Sequence, residues 1–171
     1  MQYRWLGFVA IVLVLVIIIG VLSSNHSPQK TTNVITSGSK SYIDDEIIVR
    51  MGCAPEQLEV ILGHPTDISQ SDRAGYDTWT YERNPREIYS FQNGQVSQII
   101  IVEVNYNEDQ SVKIQKDMVD QLNEHGFHFY NTRGGLAQYR SMQYPNFAYT
   151  VGRMTNTTGS NNVALILSRP Y

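Results

Sequence analysis

QVSQIIIVEV, residues 95–104, contains the unbroken apolar run Ile99–Val102. A strand with one face in solvent alternates apolar and polar side chains, and this run does not alternate. We therefore predict a strand at the centre of a sheet, covered on both faces. The pair Asn93-Gly94 stands just before it and is the strongest hairpin signal in the chain, which predicts a type I′ turn.

The residues before this hairpin predict two more strands and a helix. Residues 87–92 (EIYSFQ) form the first arm of the hairpin, and residues 76–82 (YDTWTYE) alternate aromatic and polar side chains as a half-buried strand does. Residues 55–62 predict a helix that starts with proline and ends at Gly63. Residues 44–51 are compatible with either a short helix or a lead-in strand.

The residues after the central strand predict a second helix and further strands. Residues 106–110 read as a polar turn, and residues 111–124 as a helix capped by Ser111, with its apolar side chains recurring every fourth residue. Strands are predicted at residues 127–131, 136–142, 147–154 and 162–168.

The order of elements in roughly residues 44–102 resembles the SmpA/OmlA/BamE family of small envelope proteins. The matching residues are Gly52, Gln57, Leu58, Ile61, Leu62, Gly63, Pro65, Trp79, Tyr81, Phe91, Gly94 and Val96. The resemblance implies a two-helix layer on an antiparallel sheet, as in the β-lactamase-inhibitor proteins. It also implies an extracytoplasmic, non-enzymatic role in binding envelope proteins or lipid. The chain has no cysteine near Leu22, so the lipid anchor of the outer-membrane members is not supported.

The N-terminal stretch Trp5–Leu22 has 18 consecutive apolar residues and no charge. As a helix it is about 27 Å long, close to the thickness of the hydrocarbon core of a bilayer. Arg4 before it favours a cytoplasmic N-terminus and an extracytoplasmic body. We predict an uncleaved membrane anchor, and the alternative is a signal peptide cleaved after Ser23. Residues 23–41 are rich in Ser, Thr and Asn and predict a flexible tether.

The predicted fold class is α+β, with an N-terminal transmembrane helix followed by helices packed on an antiparallel sheet of the BamE or β-lactamase-inhibitor type. The predicted organisation is an anchor at 1–22, a linker at 23–41, a helix-helix-three-strand unit at 42–105, and a helix with antiparallel strands at 106–171. The last unit belongs either to the same globular domain or to a second half. Two tandem α+β halves fit this order, although no sequence repeat marks them.

Charge divides the body of the chain. Residues 42–105 hold 4 basic and 11 acidic side chains, whereas residues 125–171 hold four arginines and no acid. Nucleic acid is not an expected partner of an acidic body. Either the two parts attract each other, or the basic, tyrosine-rich strands face a protein partner or anionic head groups. For the second case the candidate partner-binding residues are Arg133, Tyr139, Arg140 and Tyr144, because Tyr and Arg are common interface anchors.

Motifs for catalysis, cofactors or metals are not found in the sequence. His125 and His128 straddle the predicted helix end at Gly126 and have no third ligand nearby. We predict a membrane-tethered, extracytoplasmic binding or scaffold protein for envelope assembly or maintenance, held by residues 5–22 and without cofactor. The alternative is an inhibitor or sensor module for a soluble protein or ligand. A small enzyme of unrecognised type is a third hypothesis, and a pairing of Cys53 with a histidine is left open by the sequence.

Overall fold

The computed structural model describes residues 40–70, 77–157 and 159–169. It contains the helices α1 (Asp45–Arg50), α2 (Pro55–Leu62) and α3 (Glu108–Glu124). Its strands are β1 (Asp67–Gln70), β2 (Asp77–Tyr81), β3 (Arg86–Gln92), β4 (Gln95–Tyr106), β5 (His128–Arg133), β6 (Leu136–Arg140), β7 (Ala148–Thr155) and β8 (Asn161–Ser168).

The eight strands form one sheet in the order β1-β2-β3-β4-β8-β7-β6-β5. Every neighbouring pair is antiparallel. Strands β1 to β4 follow one another along the chain, α3 comes next, and β5 to β8 return toward the middle. The two sets of strands therefore meet where β4 pairs with β8, and β1 and β5 are the two edges of the sheet.

Strand β4 has the central place that its sequence predicts. Its side chains from Ile99 to Val102 are between 1% and 3% exposed. Ile99 and Ile101 lie in the same hydrophobic core as Met118 and Leu122 of α3, whereas Ile100 and Val102 point to the other face. The prediction of a central strand covered on both faces is confirmed.

The local signals around β4 are also confirmed. Asn93 and Gly94 both have positive φ, 53° and 72°, as a type I′ turn requires. Helix α2 has the predicted bounds, although its N-cap, Ala54, has no capping side chain. The Ala54 backbone N–H instead donates to the side-chain oxygen of Gln57 at 3.0 Å, so one of the free amides at this helix start is satisfied by a residue inside the helix.

The start of α3 differs from the prediction. The expected turn at 106–110 is absent, because β4 continues to Tyr106 and α3 begins at Glu108. Asn107 is the cap: its side chain accepts from the Gln110 N–H at 2.9 Å, and the Gln110 side chain accepts from the Asn107 N–H at 3.3 Å. Ser111, the predicted cap, is buried inside the helix and donates to the Glu108 carbonyl at 2.7 Å. The reciprocal Asn–Gln pair is the stronger start signal.

The predicted fold class is wrong. The described chain is built mainly from one eight-stranded antiparallel sheet and is not a BamE-like or inhibitor-like layer with a closed three-stranded unit. The apolar strand β4 needs a partner on each edge, and β8 supplies the second one, so the later strands extend the sheet of the earlier ones. Strand β1, which the sequence did not predict, extends it on the other side.

No helix within the described residues is long and apolar enough to cross a membrane. The transmembrane anchor predicted over residues 5–22 lies outside the described residues, as does the predicted tether up to residue 39. The last two residues of that predicted tether, Lys40 and Ser41, are described, and they belong to the folded body.

The segment that leads into the fold is held by two side chains. Glu103 on β4 is 2% exposed, and its carboxylate accepts from Lys40 at 2.6 Å, from the Tyr106 hydroxyl at 2.9 Å and from the Tyr42 hydroxyl at 3.2 Å. Gln121 of α3 accepts from the Tyr42 N–H at 2.7 Å and donates to the Lys40 carbonyl at 2.6 Å. The chain therefore enters the fold between strand β4 and helix α3.

Substitutions at two fully buried tyrosines should change the free energy of unfolding in opposite directions. The Tyr149 hydroxyl has no hydrogen-bond partner among the described residues, whereas the Tyr89 hydroxyl donates to Glu87 at 2.7 Å and accepts from Arg50 at 3.0 Å. Tyr149→Phe should raise the free energy of unfolding by about 1 kcal/mol, and Tyr89→Phe should lower it by about 1–2 kcal/mol. Urea unfolding of the two variants checks this, and changes of equal sign would contradict it.

Candidate functional site

The predicted partner-binding residues lie on two elements near the β5 edge and in one loop. Arg133 ends β5 and is exposed, and Arg140 ends β6 and is half-buried. Tyr144 lies half-buried in the loop between β6 and β7. Tyr139 of β6 is only 7% exposed and belongs to the hydrophobic core, so it supports the surface from beneath.

Tyr144 connects its loop to the helical side of the fold. Its hydroxyl donates to the Asp45 carboxylate at 3.1 Å, and its ring stacks on Phe127 with the centroids 5.7 Å apart. The hydrogen bond to Asp45 raises the pKa of Tyr144. These contacts fix the loop to α1 and to the residue that precedes β5.

The most exposed part of this region is strand β5 itself. All six of its residues are exposed, including two large side chains that the sequence did not single out, Phe129 at 59% and Tyr130 at 55%. The strand also has a bulge at this point: Phe129 lies opposite Tyr139 and Asn131 opposite Gln138, so Tyr130 is an extra residue. The sequence FHFYN contains no signal for the bulge, and its aromatic residues are equally typical of a buried strand.

Aromatic and basic groups combine at this edge. The guanidinium carbon of Arg140 lies 4.1 Å from the centre of the Tyr130 ring, a cation–π contact. The Nε atom of Arg140 is buried without a hydrogen-bond partner among the described residues. Phe129 meets Tyr139 edge to face with the centroids 6.1 Å apart. We call Phe129, Tyr130, Arg133 and Arg140 the β5 edge surface.

Two clusters of charged residues elsewhere have all their contacts inside the fold. One is the Glu103 cluster described above, where burial and the nearby Glu103 carboxylate raise the pKa of Tyr106 to about 12. The other joins Arg50 to Glu87 at 3.4 Å and to the Tyr89 hydroxyl at 3.0 Å. Both clusters cross-link elements of the body.

The described residues contain no group of three or more His, Cys, Asp or Glu side chains placed to hold a metal ion. His125 Nδ1 lies 2.9 Å from the Gln121 carbonyl, and His128 is exposed on β5. The Cys53 thiol is half-buried and lies 3.5 Å from the Val49 carbonyl. The three residues that the sequence raised as ligands or nucleophile are thus not brought together.

No protein-family model and no curated protein matches the chain. Among solved structures, the chain is similar to the crystal structure of an extracellular protein containing a SCP domain from Bacillus anthracis str. Ames, with 12% identity and a TM-score of 0.36. The match covers 84% of this chain and 50% of that one, so the chain spans about half the length of the solved structure. The resemblance to the SmpA/OmlA/BamE family stays a prediction.

Proposed function

We propose that this protein is an extracytoplasmic, non-enzymatic binding or scaffold protein, acting in the assembly or maintenance of a cell envelope, and that the β5 edge surface recognises its protein partner. The apolar stretch Trp5–Leu22, with Arg4 before it, supports a location at a membrane with the body on the outer side. The crosslinking experiment below tests this location together with the partner.

The observation that carries the proposal is the full exposure of β5 together with its side chains. Arg, Tyr and Phe are enriched at protein interfaces, where large rigid side chains contribute most of the binding energy. The Arg140 guanidinium already lies on the Tyr130 ring, so little side-chain entropy is lost when a partner covers the pair. Strand β5 pairs with β6 on one side only, so the backbone N–H and C=O groups on its other side are available to an added strand.

Site-specific crosslinking in intact membranes tests this proposal. A photoreactive residue at Asn131, on β5, should capture a partner, and the double substitution Phe129→Ser with Tyr130→Ser should reduce the captured product about tenfold. The matched control is Val60→Ser on α2, an equally apolar residue that is 87% exposed and lies away from the edge.

Capture that is equal in the double variant and in the control would contradict the proposal. The nature of the product also separates two roles. A neighbour from the membrane fraction supports the scaffold, whereas a single soluble protein, captured in proportion to its concentration, favours the inhibitor or sensor alternative.

A further inference from the structure

One row of side chains crosses the whole sheet on the face that carries the helices. The strand registers place these residues opposite one another in turn: Ile68, Trp79, Tyr89, Ile99, Leu167, Tyr149, Tyr139 and Phe129. The inner members of the row belong to or pack against the hydrophobic core. Its two ends, Ile68 on β1 and Phe129 on β5, are 48% and 59% exposed.

The two edges of the sheet also differ in charge. Strand β1 and its neighbours come from residues 42–105, with 4 basic and 11 acidic side chains, and β5 comes from residues 125–171, with four arginines and no acid. At the edges themselves, Asp67 and Asp77 lie on the β1 side, and Arg133 and Arg140 lie on the β5 side. The sheet therefore has an acidic edge and a basic edge, each with an exposed apolar side chain on the same face.

The strand count determines how a second copy fits. With eight strands that alternate in direction, β1 and β5 run in opposite directions. Suppose that a second copy is shifted along the row from Ile68 to Phe129 and keeps the same face of its sheet up. Its β1 then lies antiparallel to β5 of the first copy. The helices of both copies then lie on the same side of the extended sheet, and Ile68 of one copy meets Phe129 of the other. An aromatic residue opposite a β-branched one is a favourable cross-strand pair.

We propose that the partner of the β5 edge is the β1 edge of a second copy of this chain. The inference rests on the proposed function and names its partner. Such a contact is heterologous: each copy uses β5 toward one neighbour and β1 toward the other, so the association continues as a row instead of closing as a dimer. Strand β1 has only four residues, so the contact with β5 of the next copy is small. We therefore expect it to form where copies are concentrated in one membrane.

Disulfide trapping of the full-length chain in its membrane tests the geometry. Cys53, the single cysteine of the chain, is first replaced in a Cys53→Ser background. Ile68→Cys and Phe129→Cys together should then give, on mild oxidation, a ladder of dimers, trimers and longer products. Cells that make two differently tagged chains, one with Ile68→Cys and one with Phe129→Cys, should give a mixed dimer that does not extend.

Two controls fix the direction and the register. Ile68→Cys with Asn131→Cys should give no ladder, because Asn131 lies opposite Gln138 on the other face of the sheet. Ile68→Cys alone and Phe129→Cys alone should stay monomeric. Symmetric dimers from either single variant, a ladder from the Asn131 control, or no ladder from a folded Ile68–Phe129 variant would each overturn the inference.

Failure of this inference is distinct from failure of the proposed function. If the disulfide ladder is absent while photocrosslinking from Asn131 still depends on Phe129 and Tyr130, the β5 edge surface binds a different protein and only the self-association is wrong. If neither product forms, the proposed function fails as well.

Discussion

Glu103→Ala should lower the free energy of unfolding by about 2–3 kcal/mol, because the substitution removes a buried carboxylate that accepts hydrogen bonds from three side chains. The carboxylate accepts from Lys40, Tyr42 and Tyr106 at 2.6–3.2 Å. Without it, the Tyr42 and Tyr106 hydroxyls lose their acceptor, and the Lys40 ammonium keeps the Asn84 side-chain oxygen as an acceptor. The lead-in segment then keeps its hydrogen bonds to Gln121 and Asn84 and the burial of Tyr42 and Ile43 in the core.

Urea unfolding of the full-length chain measures this effect, and Asp120→Ala is the matched control. Asp120 forms a salt bridge with Lys116, but on the exposed surface of α3 with side-chain exposures of 50% and 71%, so its loss should change the free energy of unfolding by less than about 0.5 kcal/mol. Similar losses in both variants would show that the Glu103 contacts do not stabilise the fold.

Alkaline pH should unfold this protein through its buried tyrosines. Burial is the main cause that raises the pKa of Tyr89 and Tyr149 above the ordinary value of 10.0. Burial and the Glu103 carboxylate raise the pKa of Tyr106 to about 12. A tyrosine with a raised pKa keeps its proton in the folded chain at pH values where the unfolded chain has lost it. The stability is therefore complete below pH 10 and is lost as the pH rises through the folded pKa values.

The free energy of unfolding should fall by about 1.4 kcal/mol per pH unit above pH 10 for each tyrosine that ionises only in the unfolded chain. Urea titrations between pH 8 and 12 measure this slope. Tyr149→Phe removes one such group, so its slope should be smaller by that amount. An unchanged slope in Tyr149→Phe would show that the Tyr149 hydroxyl ionises as readily in the folded chain as in the unfolded one.

The sequence predicts the local elements well where a single physical cause determines them. The type I′ turn requires the positive φ values at Asn93 and Gly94. The apolar run from Ile99 to Val102 requires burial on both faces of the sheet. Helix α2 has proline at its start and Gly63 at its end. The turn, the burial of β4 and the ends of α2 depend on neighbouring residues or on contact with water, so the local sequence is enough to predict them.

The sequence predicts the sheet edges poorly, because an edge depends on which strands pair. Strand β1 has the sequence DISQ and four exposed residues, so it lacks the alternation by which strands are recognised. The pairing of β4 with β8 joins residues 55 to 70 positions apart and makes one sheet of the two parts whose relation the sequence left open. The same pairing makes β5 the last strand.

The candidate surface was predicted in part. Arg133 and Arg140 were found through the charge imbalance between the two parts of the chain. Tyr139 was chosen for its residue type, and its side chain turns into the core because it lies opposite Tyr149 on the helix-bearing face. Phe129 and Tyr130 were missed because their exposure depends on the place of β5 at the edge of the sheet, which the local sequence FHFYN does not indicate.

The hydrogen bonds that hold Lys40 and Tyr42 to β4 and α3 determine where a pulling force acts on the body. Any tension that arrives along the residues before position 40 is transmitted to Glu103 on β4 and to Gln121 on α3 through the hydrogen bonds of Lys40 and Tyr42. Strands β1 and β5, at the two edges of the sheet, make none of these hydrogen bonds. We therefore expect a pull from the N-terminal side to act on the middle of the sheet before it acts on the edges.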